Sequence, residues 1–420
     1  MDFARSADPA VQRQLERLAR LSPGRDILGL ERITALLGRV GNPERELPPV
    51  FHVAGTNGKG STCAFLRAAI EGAGLTAHVY TSPHLVRFNE RLRVAGRLID
   101  DAALAAVLEE VLDHAEGLNA SFFEVTTAAA FLVFSRAPAD ACIVEVGLGG
   151  RLDATNVIPR PACCAIAALG IDHQSFLGST LGEIAGEKAG IARAGVPIVT
   201  LTYPDEAERS IEAAVASSGA VRLKKGDHWV RNGRTYRDRF GELELPELHL
   251  PGVHQLDNAA LAVAMLRHQN AVRAPNAAIL QGIADARWPA RLQRLKPGPL
   301  VGDREAWLDG GHNPSAAEAL AATLGERKLD LVIGMLANKD AEAFLSILAP
   351  VLRSVTAVPI EGHEHHGPGT LANLAKRLGL PARTCADIPS ALAEGSSPVL
   401  IAGSLYLAGQ VLELNGEPPQ

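Results

Sequence analysis

Residues 53–62 combine glycines, a lysine and hydroxyl side chains in an order that could bind phosphate. They read VAGTNGKGST and lie between an apolar run that predicts a strand and the helical pattern of residues 63–70. Glycines let the backbone approach an anion, successive N–H groups and the helix N-terminus point toward it, and Lys59 adds positive charge. The sequence therefore predicts a phosphate-binding loop.

This loop departs from the common P-loop pattern G-x-x-x-x-G-K-[ST]. Only two residues separate Gly55 from Gly58, where the pattern has four, and Gly60 separates Lys59 from Ser61. The departure distinguishes the loop from those of ordinary kinases and GTPases. A glycine-rich turn without a ligand is the alternative in a chain with 40 Gly, and the placement of the lysine and the hydroxyls argues against it.

Polar side chains also stand where three other strand-like runs end, namely Ser82, Glu145 and His173. Ligands of open parallel sheets bind beyond the carboxyl ends of the strands, so we expect these residues beside the loop. Carboxylate and phosphate oxygens suit Mg²⁺, and a neutral histidine joins such sites less often. The alternatives are an ion pair between Glu145 and Arg151 and a hydrogen-bonded loop histidine at position 173.

Three further features could carry chemistry. Lys188 lies in an Ala/Gly-rich helical pattern, which by itself is typical of a solvated charge. Residues 308–314 read LDGGHNP and form a polar loop at the end of a predicted strand. His363, His365 and His366 could hold a metal, although histidines clustered in a surface loop are more often solvated.

The composition is that of a folded protein with more than one domain. A chain of 420 residues exceeds an ordinary single core, and 47% hydrophobic with 21% charged residues is typical of globular proteins. The net charge of −6 gives no indication of nucleic acid or an anionic membrane as partner. We expect anionic ligands to be bound by local basic groups.

Cysteine usage and the N-terminus predict a cytoplasmic protein. Five cysteines, an odd number without framework spacing, indicate reduced thiols. Residues 1–21 lack the apolar core of a signal peptide, and no apolar run reaches the ~18 residues of a membrane-spanning helix.

Strand-like runs alternate with helical patterns, which predicts an α/β fold with a parallel sheet covered on both faces. Asn232-Gly233 predicts a β-hairpin turn in a small separate region, followed by a helix over residues 255–270. The strand-like runs are 49–54, 76–81, 140–146, 162–171 and 196–201, and helical patterns include 101–115, 124–136 and 205–218.

Clustered prolines mark the predicted domain boundary. Residues 1–291 are predicted as a P-loop domain, 292–298 as a linker, and 299–420 as a smaller, Rossmann-like α/β domain. In the last, strand-like runs at 306–309, 330–335, 354–359 and 398–402 alternate with helical patterns at 315–325, 340–353, 370–379 and 388–394.

Together these motifs resemble the Mur-ligase-like ATP-dependent amide ligases, specifically the folylpolyglutamate synthase/dihydrofolate synthase family. The resemblance covers nearly the whole chain, and its two long motifs are highly specific. The residues that carry it are LGLERI at 28–33, GTNGKGS at 55–61, SPHL at 82–85, EVGLGGRLDATN at 145–156, Asp172-His173, EKAGI at 187–191 and DGGHNP at 309–314.

The resemblance implies a site for ATP and two Mg²⁺ ions. Ser82, Glu145 and His173 would hold the metals, and Lys188 matches a lysine that is often carbamylated in the family, so that an anion supports the second metal. Lys59, Lys188, Asp309 and His312 would be catalytic. The nucleotide would contact Asn57, Gly58, Lys59, Gly60, Ser61, Asn258, Arg291 and Asp309.

The resemblance also implies the substrates. Dihydropteroate and reduced folates would accept L-glutamate through an acyl phosphate formed with ATP, in an enzyme that is usually a monomer. The substrate region would comprise Phe123, Glu124, Val125, Thr126, Leu152, Asp153 and Ala154. Three alternatives stay open: another amide ligase that acts on a cell-wall nucleotide, a P-loop phosphotransferase without ligation, and a module that binds nucleotide only structurally.

Overall fold

The computed structural model describes residues 5–21 and 28–420. Two compact units emerge, one of Met1–His249 with Gln255–Arg287, the other of Leu250–His254 with Trp288–Gln420. The signal-peptide expectation covers residues 1–21, of which 1–4 lie outside the described residues. Within the described ranges, no helix is both long and apolar enough to cross a membrane.

The first unit contains a large sheet, its covering helices and a small separate sheet. Its helices are α1 (Pro9–Leu21), α2 (Glu31–Arg39), α3 (Lys59–Gly72), α4 (Asp101–Ala115), α5 (Phe122–Arg136), α6 (Gln174–Leu177), α7 (Leu181–Ala189), α8 (Asp205–Ser218), α9 (Val253–Arg267) and α10 (Asn276–Asp285). Its strands are β1 (Val50–Ala54), β2 (Ala77–Tyr80), β3 (Leu92–Val94), β4 (Arg97–Leu98), β5 (Ala141–Glu145), β6 (Cys163–Ile166), β7 (Pro197–Thr200), β8 (Val221–Lys224), β9 (Trp229–Asn232), β10 (Thr235–Asp238) and β11 (Gly241–Glu244).

The large sheet has the strand order β4-β3-β2-β5-β1-β6-β7-β8. Its six strands from β2 to β8 are parallel and confirm the predicted parallel sheet. At the other edge, β3 pairs antiparallel with β2 and with β4. The sequence does not predict these two strands, because strands of two or three residues show no periodicity. The carboxyl ends of β2, β5, β1 and β6 are therefore neighbours.

The small sheet extends the predicted hairpin by one strand. Strands β9, β10 and β11 form an antiparallel meander, in which Asn232 pairs with Thr235 across a two-residue turn. Gly233 occupies the left-handed region at φ 58°, which a β-turn of this length requires. Trp229 and Tyr236 stack inside it, with ring centroids 5.9 Å apart.

The second unit is a smaller α/β domain, as expected. Its sheet has the order β12-β13-β17-β14-β15-β16, parallel except for the edge strand β12. Residues 292–298, predicted as a linker, include β12 and belong to this unit. Its strands are β12 (Gln293–Arg294), β13 (Ala306–Leu308), β14 (Leu329–Ile333), β15 (Leu352–Ala357), β16 (Ala382–Thr384) and β17 (Val399–Ala402), and its helices are α11 (Pro314–Leu324), α12 (Ala341–Leu348), α13 (Pro368–Arg377), α14 (Ile388–Leu392) and α15 (Leu405–Leu414).

Candidate active site

The predicted phosphate loop connects the buried strand β1 to helix α3. Gly58 lies immediately before the helix at φ 82°, a conformation that favours glycine. The backbone N–H groups of Thr56 and Asn57 both donate to the carbonyl of Ala168, at 2.8 and 3.1 Å. The run 162–171 was predicted as one strand, but β6 ends at Ile166 because the chain beyond it bonds to this loop instead.

Two lysines converge on one carbonyl oxygen of the loop. Lys59 Nζ donates to Gly55 O at 3.1 Å, and Lys188 Nζ donates to the same oxygen at 3.0 Å. Lys188 is only 4% exposed, so the interpretation of this residue as a solvated surface charge is wrong. Burial, followed by the nearby charge of Lys59, lowers the pKa of Lys188 to about 7.

Helix α7 places Lys188 beside the loop, because the glycine-rich turn after β5 packs directly on the C-terminal end of this helix. A Cβ at Gly150 would lie 2.6 Å from the Glu187 carbonyl oxygen, and a Cβ at Gly190 would lie 2.4 Å from Arg151 Cβ. Arg151 also donates its backbone N–H to Glu187 O at 2.7 Å and forms an ion pair with the Glu187 carboxylate. Only glycine permits this approach.

Asn258 and Ser61 present polar atoms to the start of α3. A Cβ on Gly58 would lie 2.4 Å from Asn258 Oδ1, so α9 meets the loop at van der Waals distance. Asn258 Nδ2 donates to Gln255 Oε1 at 3.0 Å, which fixes the orientation of the amide. Ser61 is buried, and its Oγ has no hydrogen-bond partner within the described part of the chain.

Two of the three predicted metal ligands meet. Glu145 ends β5 in register with Val53 of β1, and the backbone N–H of Ser82, just beyond β2, donates to Glu145 Oε2 at 3.3 Å. Glu145 is 5% exposed. An ionised carboxylate is costly to bury, and a cation bound beside Glu145 would offset that cost.

His173 lies beyond β6, the neighbour of β1 on its other side. It occupies the left-handed region at φ 52°, and its backbone N–H donates to Asp172 Oδ1 at 2.8 Å. Its ring is 43% exposed, with Nε2 3.9 Å from Asp172 Oδ1. The ring is thus partly exposed at the same sheet edge.

These residues fit a magnesium nucleotide. Among the described residues no group of three His, Cys, Asp or Glu could hold a metal by itself. A buried carboxylate at Glu145 and the unpartnered hydroxyl of Ser61 match Mg²⁺, which is bound by one or two protein oxygens together with phosphates and water. The protein oxygens would therefore supply only part of the Mg²⁺ coordination, and phosphate oxygens would supply more of it.

The predicted substrate residues divide into a half-buried rim and a buried support. Phe123 and Leu152 are half-buried, and the Phe123 ring stacks on Tyr80 with centroids 6.0 Å apart. Gly147 lies against that ring, since a Cβ there would be 2.4 Å from it. The buried members of the set are Glu124, Val125, Thr126, Asp153 and Ala154.

Glu124 is a buried member with one oxygen unsatisfied. Its Oε2 accepts from Arg32 Nε at 3.1 Å and from the Ser121 backbone N–H at 2.7 Å. Its Oε1 is buried without a hydrogen-bond partner in the described part of the chain. Arg32, a residue of the motif at 28–33, thus has a specific partner in the predicted substrate region.

Asp153 holds the turn in which it lies. Its Oδ2 accepts from the backbone N–H of Leu148 at 2.8 Å, and its Oδ1 accepts from the backbone N–H and the hydroxyl of Thr155 at 3.0 and 2.5 Å. Burial raises the pKa of Asp153, and these hydrogen bonds oppose that rise. The carboxylate therefore ties residues 148 and 155 together.

In the second unit, Arg291, Asp309 and His312 lie close together. Asp309 Oδ2 accepts from the Leu292 N–H at 2.7 Å and Oδ1 from the Gly311 N–H at 2.6 Å. Burial raises the pKa of Asp309, and the nearby Arg291 opposes it. His312 Nδ1 donates to Gly310 O at 2.9 Å.

The histidine run has structural contacts in the same unit. His365 Nδ1 donates to His363 O at 2.7 Å, His366 Nε2 donates to Lys339 O at 2.8 Å, and the His363 ring stacks on Tyr406.

Sequence reasoning assigned no role to Gln255, His52 or Thr155. His52 lies inside the apolar run of β1, where nothing but its residue type distinguishes it, and its ring Nε2 lies 2.9 Å from Thr155 Oγ1. Residue type inside a buried strand was the available signal, since an imidazole there needs a partner.

Comparison with known proteins gives consistent relatives. The chain is 36% identical over 355 residues to the dihydrofolate synthase/folylpolyglutamate synthase of Bacillus subtilis (strain 168). The aligned region covers 78% of this chain and 80% of the relative. No model of a protein family matches the chain.

Solved structures agree with the sequence relatives. Escherichia coli FolC in complex with DHPP and ADP has a TM-score of 0.86 at 32% identity, covering 97% of this chain and 98% of that chain. A bifunctional folylpolyglutamate synthase/dihydrofolate synthase with Mn, AMPPNP and L-glutamate bound has a TM-score of 0.85 at 32% identity, covering 98% and 99%.

Proposed function

The chain belongs to the dihydrofolate synthase/folylpolyglutamate synthase family, and from that premise we propose that it ligates L-glutamate to dihydropteroate and to the γ-carboxylate of folates, using ATP. The observation that carries the proposal is the meeting of Lys59 and Lys188 on Gly55 O, at the sheet edge that also carries Glu145. A loop that only turned the chain would need neither Lys59 nor the buried Lys188 at this carbonyl.

The chemistry requires an activated carboxylate, because oxide is a poor leaving group. The substrate carboxylate attacks the γ-phosphorus of ATP, which releases ADP and forms an acyl phosphate. The glutamate amine then attacks the acyl carbon, phosphate leaves, and the amine loses a proton as the amide forms. The first step brings two anions together, and the second builds negative charge on the acyl oxygen and the leaving phosphate, so both steps need fixed positive charge at the loop.

The phosphates of ATP are proposed to bind at the loop residues Asn57, Gly58, Lys59, Gly60 and Ser61. Lys59 already faces the loop carbonyls and can turn toward the transferred phosphoryl group. Asn258 contacts the loop from α9 and is proposed to bind the nucleotide from that side.

Ser82, Glu145 and His173 are proposed to hold Mg²⁺, which when bound supplies charge neutralisation for the phosphates. Lys188 is proposed as a carbamate that supports a second ion. Its amine, with a pKa lowered to about 7, would add CO₂ with loss of one proton and become an anion.

The pterin is proposed to bind at the predicted substrate region, which comprises Phe123, Glu124, Val125, Thr126, Leu152, Asp153 and Ala154. The half-buried ring of Phe123 offers a stacking face, and the unsatisfied Glu124 Oε1 offers an acceptor for an N–H of the ligand. In the second unit, Arg291 and Asp309 are proposed to bind nucleotide, and Asp309 and His312 are proposed to be catalytic.

The proposed location is the cytoplasm. All five cysteines lie in the described part of the chain and are free, four of them buried, which suits a reducing compartment. Fractionation of cells with an antibody to the chain tests this.

Coupled ADP release tests the function. We expect release with dihydropteroate and with a reduced folate, in each case only when glutamate is present, and none from Lys59→Ala with an unchanged circular dichroism spectrum. Release that is indifferent to glutamate would instead indicate a phosphotransferase. Release that needs a cell-wall nucleotide would indicate the other class of amide ligase.

A further inference from the structure

A buried hydrogen-bonded chain connects β1 to the predicted pterin loop. His52 Nε2 lies 2.9 Å from Thr155 Oγ1, and Thr155 Oγ1 lies 2.5 Å from Asp153 Oδ1. The three residues are 1%, 0% and 2% exposed, so solvent cannot replace these contacts.

The direction of each hydrogen bond follows from counting protons. Both Asp153 oxygens accept backbone N–H groups, so the carboxylate acts as acceptor and the single Thr155 hydroxyl proton points at it. The Thr155 oxygen must then accept from His52, which fixes the proton of the ring on Nε2. Burial, with the charge of Arg193, lowers the pKa of His52 to about 3, which keeps the ring neutral.

We propose that His52 is a positioning residue for the pterin substrate, acting through the Thr155 hydroxyl to fix the Asp153 carboxylate and the turn that receives dihydropteroate. The inference rests on the proposed function, since it needs that turn to bind the substrate. Asp153 in turn holds the Leu148 N–H, so a displaced carboxylate releases the turn between them.

Position 52 therefore needs a hydrogen-bond donor rather than bulk alone. His52→Leu fills the buried position with an apolar side chain and removes the donor, whereas His52→Gln also removes the ring but can place an amide N–H near the Nε2 position. Thr155→Val removes the hydroxyl with little change in shape, and Thr155→Ser retains it. The two pairs separate loss of the hydrogen bond from loss of packing.

The test measures the KM of each substrate in coupled ADP release, with equilibrium binding of dihydropteroate in the presence of a non-hydrolysable ATP analogue. We expect His52→Leu and Thr155→Val each to raise the KM and Kd of dihydropteroate roughly tenfold, the size of one lost buried hydrogen bond, with the KM of ATP within about twofold. His52→Gln and Thr155→Ser should restore most of the affinity. The double variant should be no worse than the poorer single variant, because both act on one chain.

Three results would overturn the inference: unchanged dihydropteroate affinity in His52→Leu and Thr155→Val, an equal rise in the KM of ATP, or additive effects in the double variant. Failure of the proposed function looks different. Wild-type protein would then bind dihydropteroate without glutamate-dependent ADP release, and the binding measurements would still decide the role of His52. Protein that does not bind dihydropteroate at all would defeat both.

Discussion

Lys59 and Lys188 donate to the same carbonyl oxygen, that of Gly55, at 3.1 and 3.0 Å. Burial of Lys188, followed by repulsion from the charge of Lys59, lowers the pKa of Lys188 from the usual 10.5 of a lysine to about 7. A neutral amine next to a phosphate loop is a nucleophile and a proton acceptor. This relationship has consequences for stability and for chemistry.

The first consequence is a pH dependence of stability. Between pH 7 and 10.5 the unfolded chain binds a proton at position 188 that the folded chain does not, so stability rises with pH by up to about 1.4 kcal/mol per unit. Thermal unfolding of wild type and Lys188→Met in CO₂-free buffer from pH 7.5 to 9.5 measures the difference. The variant should lose this slope, and the exposed-lysine control Lys376→Met should retain it. Equal slopes in all three proteins would contradict the lowered pKa.

The second consequence is reaction with CO₂. We expect wild-type protein equilibrated with ¹³C-bicarbonate to show one carbamate signal by NMR that is absent from Lys188→Met. The reason is the neutral Lys188 amine, since surface amines are protonated at neutral pH. Lys376→Met again serves as the control and should keep the signal. A signal that survives in Lys188→Met would assign the carbamate to another amine.

The close approach of Gly58 to α9 predicts a selective loss of ATP binding. Gly58→Ala would place a Cβ 2.4 Å from Asn258 Oδ1, so the loop and Asn258 must separate. Gly74 has a similar φ of 77°, but a Cβ there meets nothing within 4 Å. Both substitutions carry the left-handed cost of roughly 1–2 kcal/mol, and only Gly58→Ala should raise the KM of ATP, by about tenfold or more. An equal KM in the two variants would refute a role for this contact.

Glu145 should determine the Mg²⁺ requirement. Glu145→Gln retains an acceptor for the Ser82 N–H but removes the charge. We expect turnover to fall by about 100-fold and the half-saturating Mg²⁺ concentration to rise, because a neutral amide is a poorer ligand for a hard cation. Glu110→Gln, which removes a surface ion pair with Arg136, is the control. Magnesium titrations that overlap for all three proteins would exclude Glu145 as a ligand.

Much of the fold could be predicted because its signals are local. The run before Gly55 and the helix after Lys59 both follow from residue spacing. The start of α5 could also have been predicted more closely, since Ser121 and Glu124 form a capping box that the sequence shows as S-x-x-E. The two-residue strands β4 and β12 offered no such pattern and depend on their neighbours.

The character of the site could be predicted only in part. Residue types after strands indicated Glu145 and Ser82, because parallel strands bring their carboxyl ends to one edge. The burial of Lys188 could not be predicted from composition, since it depends on Gly150 and Gly190 allowing the turn and α7 to touch. The role of His52 likewise exists only through Thr155, 103 positions along the chain.

Asp309 should stabilise the second unit as a carboxylate and not as an amide. Its two oxygens accept the backbone N–H groups of Leu292 and Gly311, and the residue is 8% exposed. In Asp309→Asn the amide nitrogen must face one of these donors, which leaves a buried N–H unsatisfied at a cost of about 1–3 kcal/mol. Thermal unfolding should show a lower midpoint for Asp309→Asn and no shift for Asp303→Asn, an exposed aspartate of the same unit. If both variants melt like wild type, the Asp309 carboxylate does not hold this turn, and its proposed role at the nucleotide would need another explanation.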